Sequence, residues 1–338
     1  MKKLGSLLVL ASILLLFPFY SQAQLIGNPL NPSQYGLDVS ADNFQSEIIR
    51  KRYVSLNDWD MGSQLSLKLF PDVEIVFDSE KIEFDGKIKI WTGHIPGNED
   101  GYVIISEQAG LYYAKIVDAA FRTFQLVHKG ASVYAIYEID PNNIPQNEND
   151  HIIVEEDVAE SDNGICDPNY SCAAVTIDIL AVYTPAAKNQ MGSAVGIQNA
   201  ISVAIAEMNR INTRSGVPHS YRLVHMEETN FTESGNSSTD LNVLRNPTDG
   251  IMDNVHLLRY THSADLVALI TSSVYCGIAY IQEVSTVFFP SFGFSVTGVN
   301  CMNTNYTLAH EIGHNMGLQH DWFVNTRPYP CPHSHGRP

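Results

Sequence analysis

The sequence predicts an α/β domain on a mixed, mostly parallel sheet, preceded by a smaller β-rich domain. Three observations lead there. Apolar residues between Val73 and Asp140 recur mostly with period two. From Val175 onward, β-prone runs alternate with runs of helical spacing. Between these regimes, residues 141–170 are rich in Asn, Asp, Glu and Pro and poor in apolar side chains. With 338 residues, 44% apolar and 17% charged, the chain can bury two cores and is not of disordered composition.

Residues 1–23 have the pattern of a secretory signal peptide. Lys2 and Lys3 precede a mostly apolar run from Leu7 to Phe19, and Ser21-Gln22-Ala23 offers small residues for cleavage after Ala23. The run is shorter than the ~20 residues a membrane span needs, and Pro18 interrupts it. The expectation is a secreted, extracellular protein with no membrane span in its mature chain.

Residues 24–140 form the β-rich unit. Lys81-Ile82-Glu83-Phe84 and Lys87-Ile88-Lys89-Ile90 alternate, as do parts of 102–105, 111–116 and 133–139, with Gly and Asp as punctuation. No constellation of catalytic residue types stands out in this unit. Residues 141–174 read as an acidic linker, exposed and open to cleavage. The net charge is −17, of which residues 24–174 contribute −15. A nucleic-acid partner is excluded on that ground, because phosphate binding needs clustered Lys and Arg.

In residues 175–338, VTIDILAVY (175–183) is a first strand, and Thr184-Pro185 opens a helix with Pro in its first turn. Ile197, Ile201, Ala204, Ile205, Met208 and Ile211 continue at helical spacing to Ser215-Gly216. A second strand is expected near 221–226, then a helix with Ile251, Val255 and Leu258 on one face. The nearly all-apolar Ala264–Ile270 suits the middle of a sheet covered on both sides.

The chemistry concentrates in TLAHEIGHNMGLQHD, residues 307–321. On a helix His310 and His314 lie at i and i+4, so both imidazoles leave one face and can share a Zn²⁺ ion. Gly317 can take a positive φ, ending the helix and turning the chain so that His320 arrives as a third ligand. Three protein nitrogens with an open fourth position is the pattern of a catalytic zinc. Glu311, beside the first ligand, is placed to take a proton from a water in that position and pass it to the leaving group. His219, His225, His256 and His262 have no metal-ligand spacing and read as ordinary surface or core residues, and His333 and His335 as part of a solvated tail.

HEIGHNMGLQHD resembles the extended zinc signature of the metzincin peptidases, and Asp321 after the third histidine with Asn315 after the second is most similar to the reprolysin (adamalysin) branch. VTIDILAVYTPAA, ADLVALIT and CGIAYI resemble the first strand, a central strand and the following loop of bacterial reprolysin-like peptidases. Phe292 to Val299 resembles the edge strand along which such enzymes bind extended substrates. The resemblance covers roughly residues 175–321, and residues 24–170 are loosely similar to a reprolysin propeptide. It implies a zinc endopeptidase acting on proteins or peptides, made as a zymogen, with one catalytic Zn²⁺, His310, His314 and His320 as ligands and Glu311 as base. The family's methionine-containing turn would follow the third histidine, and no Met follows Met316, so the catalytic domain is expected to continue past residue 338.

Export makes the five cysteines disulfide candidates. Cys276 and Cys301 flank the segment leading into the expected edge strand and are the preferred pair. Cys166 and Cys172 admit two readings. One is a local disulfide, favoured by an oxidising compartment; the other places the Cys166 thiolate on the zinc as a latency switch. Cys331 is left over. A non-catalytic binding module on a degenerate peptidase fold would lack Glu311 or a ligand histidine, and all four are present. A zinc peptidase with a downstream Glu as third ligand is disfavoured, since Asp321 is the only acidic residue after His314.

Overall fold

The computed structural model describes residues 23–43, 45–144, 150–154, 173–273, 275–282 and 289–322. Most of the expected signal segment lies outside these residues, as do Cys166, Cys172, Cys331, His333 and His335.

The N-terminal region is a ten-stranded sheet of β1 (Ala23–Gln24), β2 (Ile26–Pro29), β3 (Ile48–Leu56), β4 (Gln64–Phe70), β5 (Val73–Asp85), β6 (Ile88–Ile95), β7 (Asn98–Gln108), β8 (Leu111–Val117), β9 (Thr123–Gly130) and β10 (Val133–Ile139). Strands β4 to β10 run as an antiparallel meander, and β3 pairs β10 on its far side. Period-two alternation splits the side chains between two cores. Leu65, Leu67, Phe77, Trp91, Val103 and Phe124 pack on one face. Ile90, Tyr102, Ile104, Tyr113 and Tyr137 pack on the other, against the C-terminal region.

The C-terminal region has the six-stranded order β11-β15-β16-β14-β12-β13. Its elements are β11 (His151–Val154), β12 (Thr176–Tyr183), α1 (Pro185–Gln190), α2 (Ala194–Arg214), β13 (Ser220–Glu228), α3 (Ser237–Arg245), α4 (Asp253–Thr261), β14 (Leu266–Thr271), β15 (Gly277–Gln282), β16 (Phe294–Gly298), α5 (Val299–Met302) and α6 (Thr307–Asn315). All its neighbouring strands pair parallel except β15 and β16, which are antiparallel. Strand β14 is buried along its whole length, as an apolar run in mid-sheet requires.

Several readings of the sequence need correction; Ile251, expected on a helix face with Val255 and Leu258, lies ahead of α4 and is 44% exposed. The helix expected to open at Thr184-Pro185 and run to Ser215-Gly216 is two helices, α1 and α2. Thr184 caps α1 by accepting from the Ala187 N–H at 3.1 Å, and Ser193 starts α2 by accepting from the Gly196 N–H at 3.0 Å. Cys276–Ile281 is mostly not a loop, since Gly277–Gln282 forms β15. The segment expected at the edge forms β16, flanked by β14 and β15, so it is interior. Its position is decided by β15 folding back beside it, a long-range pairing that its own residues do not encode.

Helix α2 lies between the two sheets. Ile197, Ile201, Ala204 and Met208 belong to the same core as Tyr102 and Tyr113 of the N-terminal sheet. A helix apolar on several faces is one covered on several sides. Polar ties cross the same boundary. Lys115 of β8 pairs with Glu207 of α2 at 2.6 Å, with side chains 0% and 3% exposed. Tyr102 donates its hydroxyl to the same carboxylate at 2.5 Å, and the Asn199 amide donates to the Leu111 carbonyl at 2.8 Å.

Candidate metal centre

Helix α6 begins after Tyr306 and buries Leu308, Glu311, Ile312, His314 and Asn315 against the sheet. Asn315 fixes its end by donating from Nδ2 to the carbonyls of Tyr280 at 2.8 Å and Phe294 at 3.1 Å. These bonds clamp the helix across β15 and β16. Gly317 takes φ 86°, a conformation that suits glycine, and the chain reverses there. The Leu318 N–H closes the turn on the Gly313 carbonyl at 2.9 Å.

That reversal brings the three histidines together. The Nε2 atoms of His310 and His320 lie 3.2 Å apart, and the ligand-type atoms of His310, His314, His320 and Asp150 all lie within 4.8 Å of one another. A tetrahedral ion with bonds of about 2.0–2.1 Å to nitrogen separates its ligands by about 3.3 Å. The closest nitrogen and oxygen distances, 3.1–3.2 Å, are of that size.

His314 supplies a further test of fit. Its Nδ1 sits 2.8 Å from the Leu318 carbonyl, which can only accept, so Nδ1 carries the proton and Nε2 presents its lone pair to the cluster. That buried Nε2 has no hydrogen-bond partner. A buried acceptor nitrogen without a donor, on a residue 2% exposed, is costly unless a cation completes it. Burial, reinforced by the neighbouring charges of His310 and His320, pushes the His314 imidazole down to about 3, which keeps it neutral as a ligand must be. These donors fit a zinc ion.

Glu311 is 1% exposed, and its Oε2 has no hydrogen-bond partner. Burial first, then the charge of Asp150, pushes its carboxyl well above the usual range. The floor under it is Gly277 of β15, where an added Cβ would stand 2.4 Å from Glu311 Oε1. Only a residue without a side chain lets the strand pass that close.

Asp150 falls in the stretch 141–174 that reads as an exposed linker. The structure sets its Oδ2 3.2 Å from His310 Nε2 and 3.1 Å from His320 Nε2, with Oδ1 4.0 Å from His314 Nε2. Burial works against its charge, but hydrogen bonds from His151, His310 and His320 outweigh that and hold its carboxyl far below the usual range. The hydrogen bond to Asp150 in turn raises His320. The available signal was the short β-prone run Ile152-Ile153-Val154 inside a polar stretch, which marks a docking segment with Asp150 just ahead of it.

Cys276 and Cys301 are joined in a disulfide with Cα atoms 5.1 Å apart. His225 and His262 stack at 4.1 Å, and His256 bonds the Leu244 carbonyl; none of them joins a metal-type cluster among the described residues. Asp321, half-buried, follows His320 and is not among the clustered ligand-type groups.

Residues 198–321 match the model of the reprolysin-like metallopeptidase family M12B. The chain is 34% identical over 194 residues to the peptidyl-Asp metalloendopeptidase of Stenotrophomonas maltophilia, a match covering 57% of this chain and 42% of that protein. It is 34% identical over 170 residues to the protein of the same name from Xanthomonas campestris, covering 49% and 39%. The matched stretch thus spans about two fifths of these relatives. Among solved structures it is similar to metalloproteinase-II from Bacteroides fragilis, with a TM-score of 0.46, 10% identity, and coverage of 89% of this chain and 92% of that one.

Proposed function

We propose that this chain, whose residues 198–321 match the reprolysin-like metallopeptidase family, is a zinc-dependent endopeptidase that hydrolyses peptide bonds of proteins. The observation behind the proposal is the convergence of three imidazoles, one with an orphaned buried nitrogen, next to a buried carboxylate. The relatives' name, peptidyl-Asp metalloendopeptidase, supports the same reaction class.

His310, His314 and His320 would hold the ion. Zinc in such a site supplies a Lewis acid that polarises the scissile carbonyl and makes a water acidic enough to attack near neutral pH. Glu311 is the proton carrier: it takes the proton of the attacking water and delivers it to the leaving amine. A carboxylate whose proton affinity is raised by burial is suited to both transfers. The Leu318 carbonyl holds His314 in the ligating tautomer, and Asn315 anchors the end of the helix that carries His310 and Glu311.

Export as a zymogen belongs to the same proposal. Its support is the Lys2-Lys3 and Leu7–Phe19 pattern, together with a β-rich N-terminal sheet that shares a core with α2. Cleavage of casein by the processed enzyme, with and without a chelator, tests the function. Glu311→Ala is expected to keep its zinc and lose about 10²–10⁴-fold in rate. A variant that cuts at the normal rate refutes the role given to Glu311.

A further inference from the structure

Helix α6 starts from a strained residue. Tyr306, which precedes it, has φ 55° and ψ 25°, the left-handed region that a bulky side chain rarely enters, and it makes no side-chain capping bond to the helix. Such a conformation persists where its surroundings hold it. The residue also bears directly on the metal site, because the His310 N–H donates to the Tyr306 carbonyl at 3.0 Å and closes the first turn. Resting on the zinc-peptidase reading above, we propose that Tyr306 is a positioning residue for the metal centre: the N-terminal sheet grips its ring through Lys115, and that grip sets the start of α6 and hence the place of His310.

The grip is a closed circuit of four side chains, two from each region. The Lys115 ammonium of β8 sits 3.7 Å from the centre of the Tyr306 ring and 2.6 Å from the Glu207 carboxylate of α2. Tyr102 of β7 donates its hydroxyl to the same carboxylate at 2.5 Å. Its one proton is thereby committed, so the Tyr306 hydroxyl, 3.2 Å away, donates to the Tyr102 oxygen. Lys115 is fully buried, and a desolvated ammonium is attracted to a ring face more strongly than a hydrated one. Tyr306 by contrast is 40% exposed, so this contact rather than burial fixes it.

The residues leading into Tyr306 are tied to both regions. Asn303 donates its amide to the Ala200 carbonyl of α2 at 2.9 Å, and the Gln125 amide of β9 donates to the Thr304 hydroxyl at 3.1 Å. Cys301, just before them, is joined to Cys276. These bonds hold the chain up to Thr304, and the Tyr306 ring carries the restraint the last step to the helix. A glycine would supply the same backbone angle without strain. The tyrosine adds the handle by which the N-terminal sheet holds the helix.

The test uses the full chain and reads zinc affinity by competition with a chromophoric chelator, together with the visible absorption of the Co²⁺-loaded chain. Tyr306→Ala is expected to weaken zinc binding about 10–100-fold, the range for residues that orient a metal ligand, and to change the Co²⁺ spectrum. Tyr306→Gly relieves the backbone angle but removes the ring, and weakens binding about tenfold or more as well. Tyr306→Phe keeps the ring over Lys115 and stays within about threefold of wild type. Lys115→Met lowers affinity too, and combining it with Tyr306→Ala adds no further loss, because both remove one contact. Phe77→Leu, in the core on the other face of the N-terminal sheet, lowers stability and leaves affinity and spectrum unchanged. Wild-type affinity and spectrum in Tyr306→Ala or in Tyr306→Gly overturn the proposal. So does full additivity of Lys115→Met and Tyr306→Ala, or a loss in Phe77→Leu equal to that in Tyr306→Ala. Should Tyr306→Ala fail to fold, Tyr306→Gly set against Tyr306→Phe makes the same comparison. A wild-type chain that takes up no zinc overturns the underlying metal reading instead, so the two failures are distinguishable.

Discussion

Gly277→Ala probes the contact between β15 and the proposed base. The new Cβ would stand 2.4 Å from Glu311 Oε1, 2.7 Å from Cδ and 2.8 Å from Cγ. Non-bonded heavy atoms settle near 3.5 Å, so the carboxylate must retreat by about 1 Å. The strand has little freedom to move instead, because Gly277 pairs with Thr297 and its neighbour Cys276 is tied to Cys301. A displacement of about 1 Å in a catalytic group costs about 10²-fold in rate, or about 2.7 kcal/mol of transition-state stabilisation. The assay is hydrolysis of an internally quenched peptide by the processed enzyme, with zinc content measured on the same sample. The expected result is a fall in kcat of that size with the metal retained. A wild-type rate refutes the placement of Glu311 as proton carrier, and loss of zinc shows that the damage reaches the ligands instead.

Two further outcomes follow from the buried polar groups. Lys115→Met strands the Glu207 carboxylate, 3% exposed, between the two sheets and is expected to cost about 3–5 kcal/mol in urea unfolding; Lys115→Met with Glu207→Leu should recover most of it, and a negligible single-variant effect contradicts the role of this pair as a tie between the regions. Asp42 is buried, which raises its carboxyl, but hydrogen bonds from Tyr137, Lys129 and Tyr53 outweigh that and hold it below the usual range. A lowered pKa stabilises the fold above the ordinary carboxylate range and loses that contribution as pH falls through the folded value. Asp42→Asn should therefore cost about 1–3 kcal/mol at neutral pH, with the gap to wild type closing below about pH 4; a gap constant from pH 7 to pH 3 rules out this linkage.

Much of the fold could be read from the sequence where signals are local. The period-two runs of residues 73–140 are strands, the helical spacing of Ile197 to Met208 is α2, and the histidine spacing with Gly317 after it makes the turn that brings His320 back. What escaped depends on long-range pairing. Whether Phe294–Gly298 is an edge or an interior strand is decided by Gly277–Gln282 folding back beside it, which no feature of either segment states. The two-residue β1 pairs with β4, more than forty residues along the chain, and local alternation cannot reveal that partner. Asp150 is the sharpest case. A lone carboxylate in an acidic stretch has no distinguishing pattern, and its meaning appears only when the Ile152-Ile153-Val154 run is laid against β15.

Whether three imidazoles share one ion is read from the zinc content per chain after exhaustive dialysis, in the wild type and in His310→Ala, His314→Ala and His320→Ala. One zinc is expected in the wild type and close to none in each variant. Full zinc retention by His320→Ala, or none in the wild type, would contradict a shared ion.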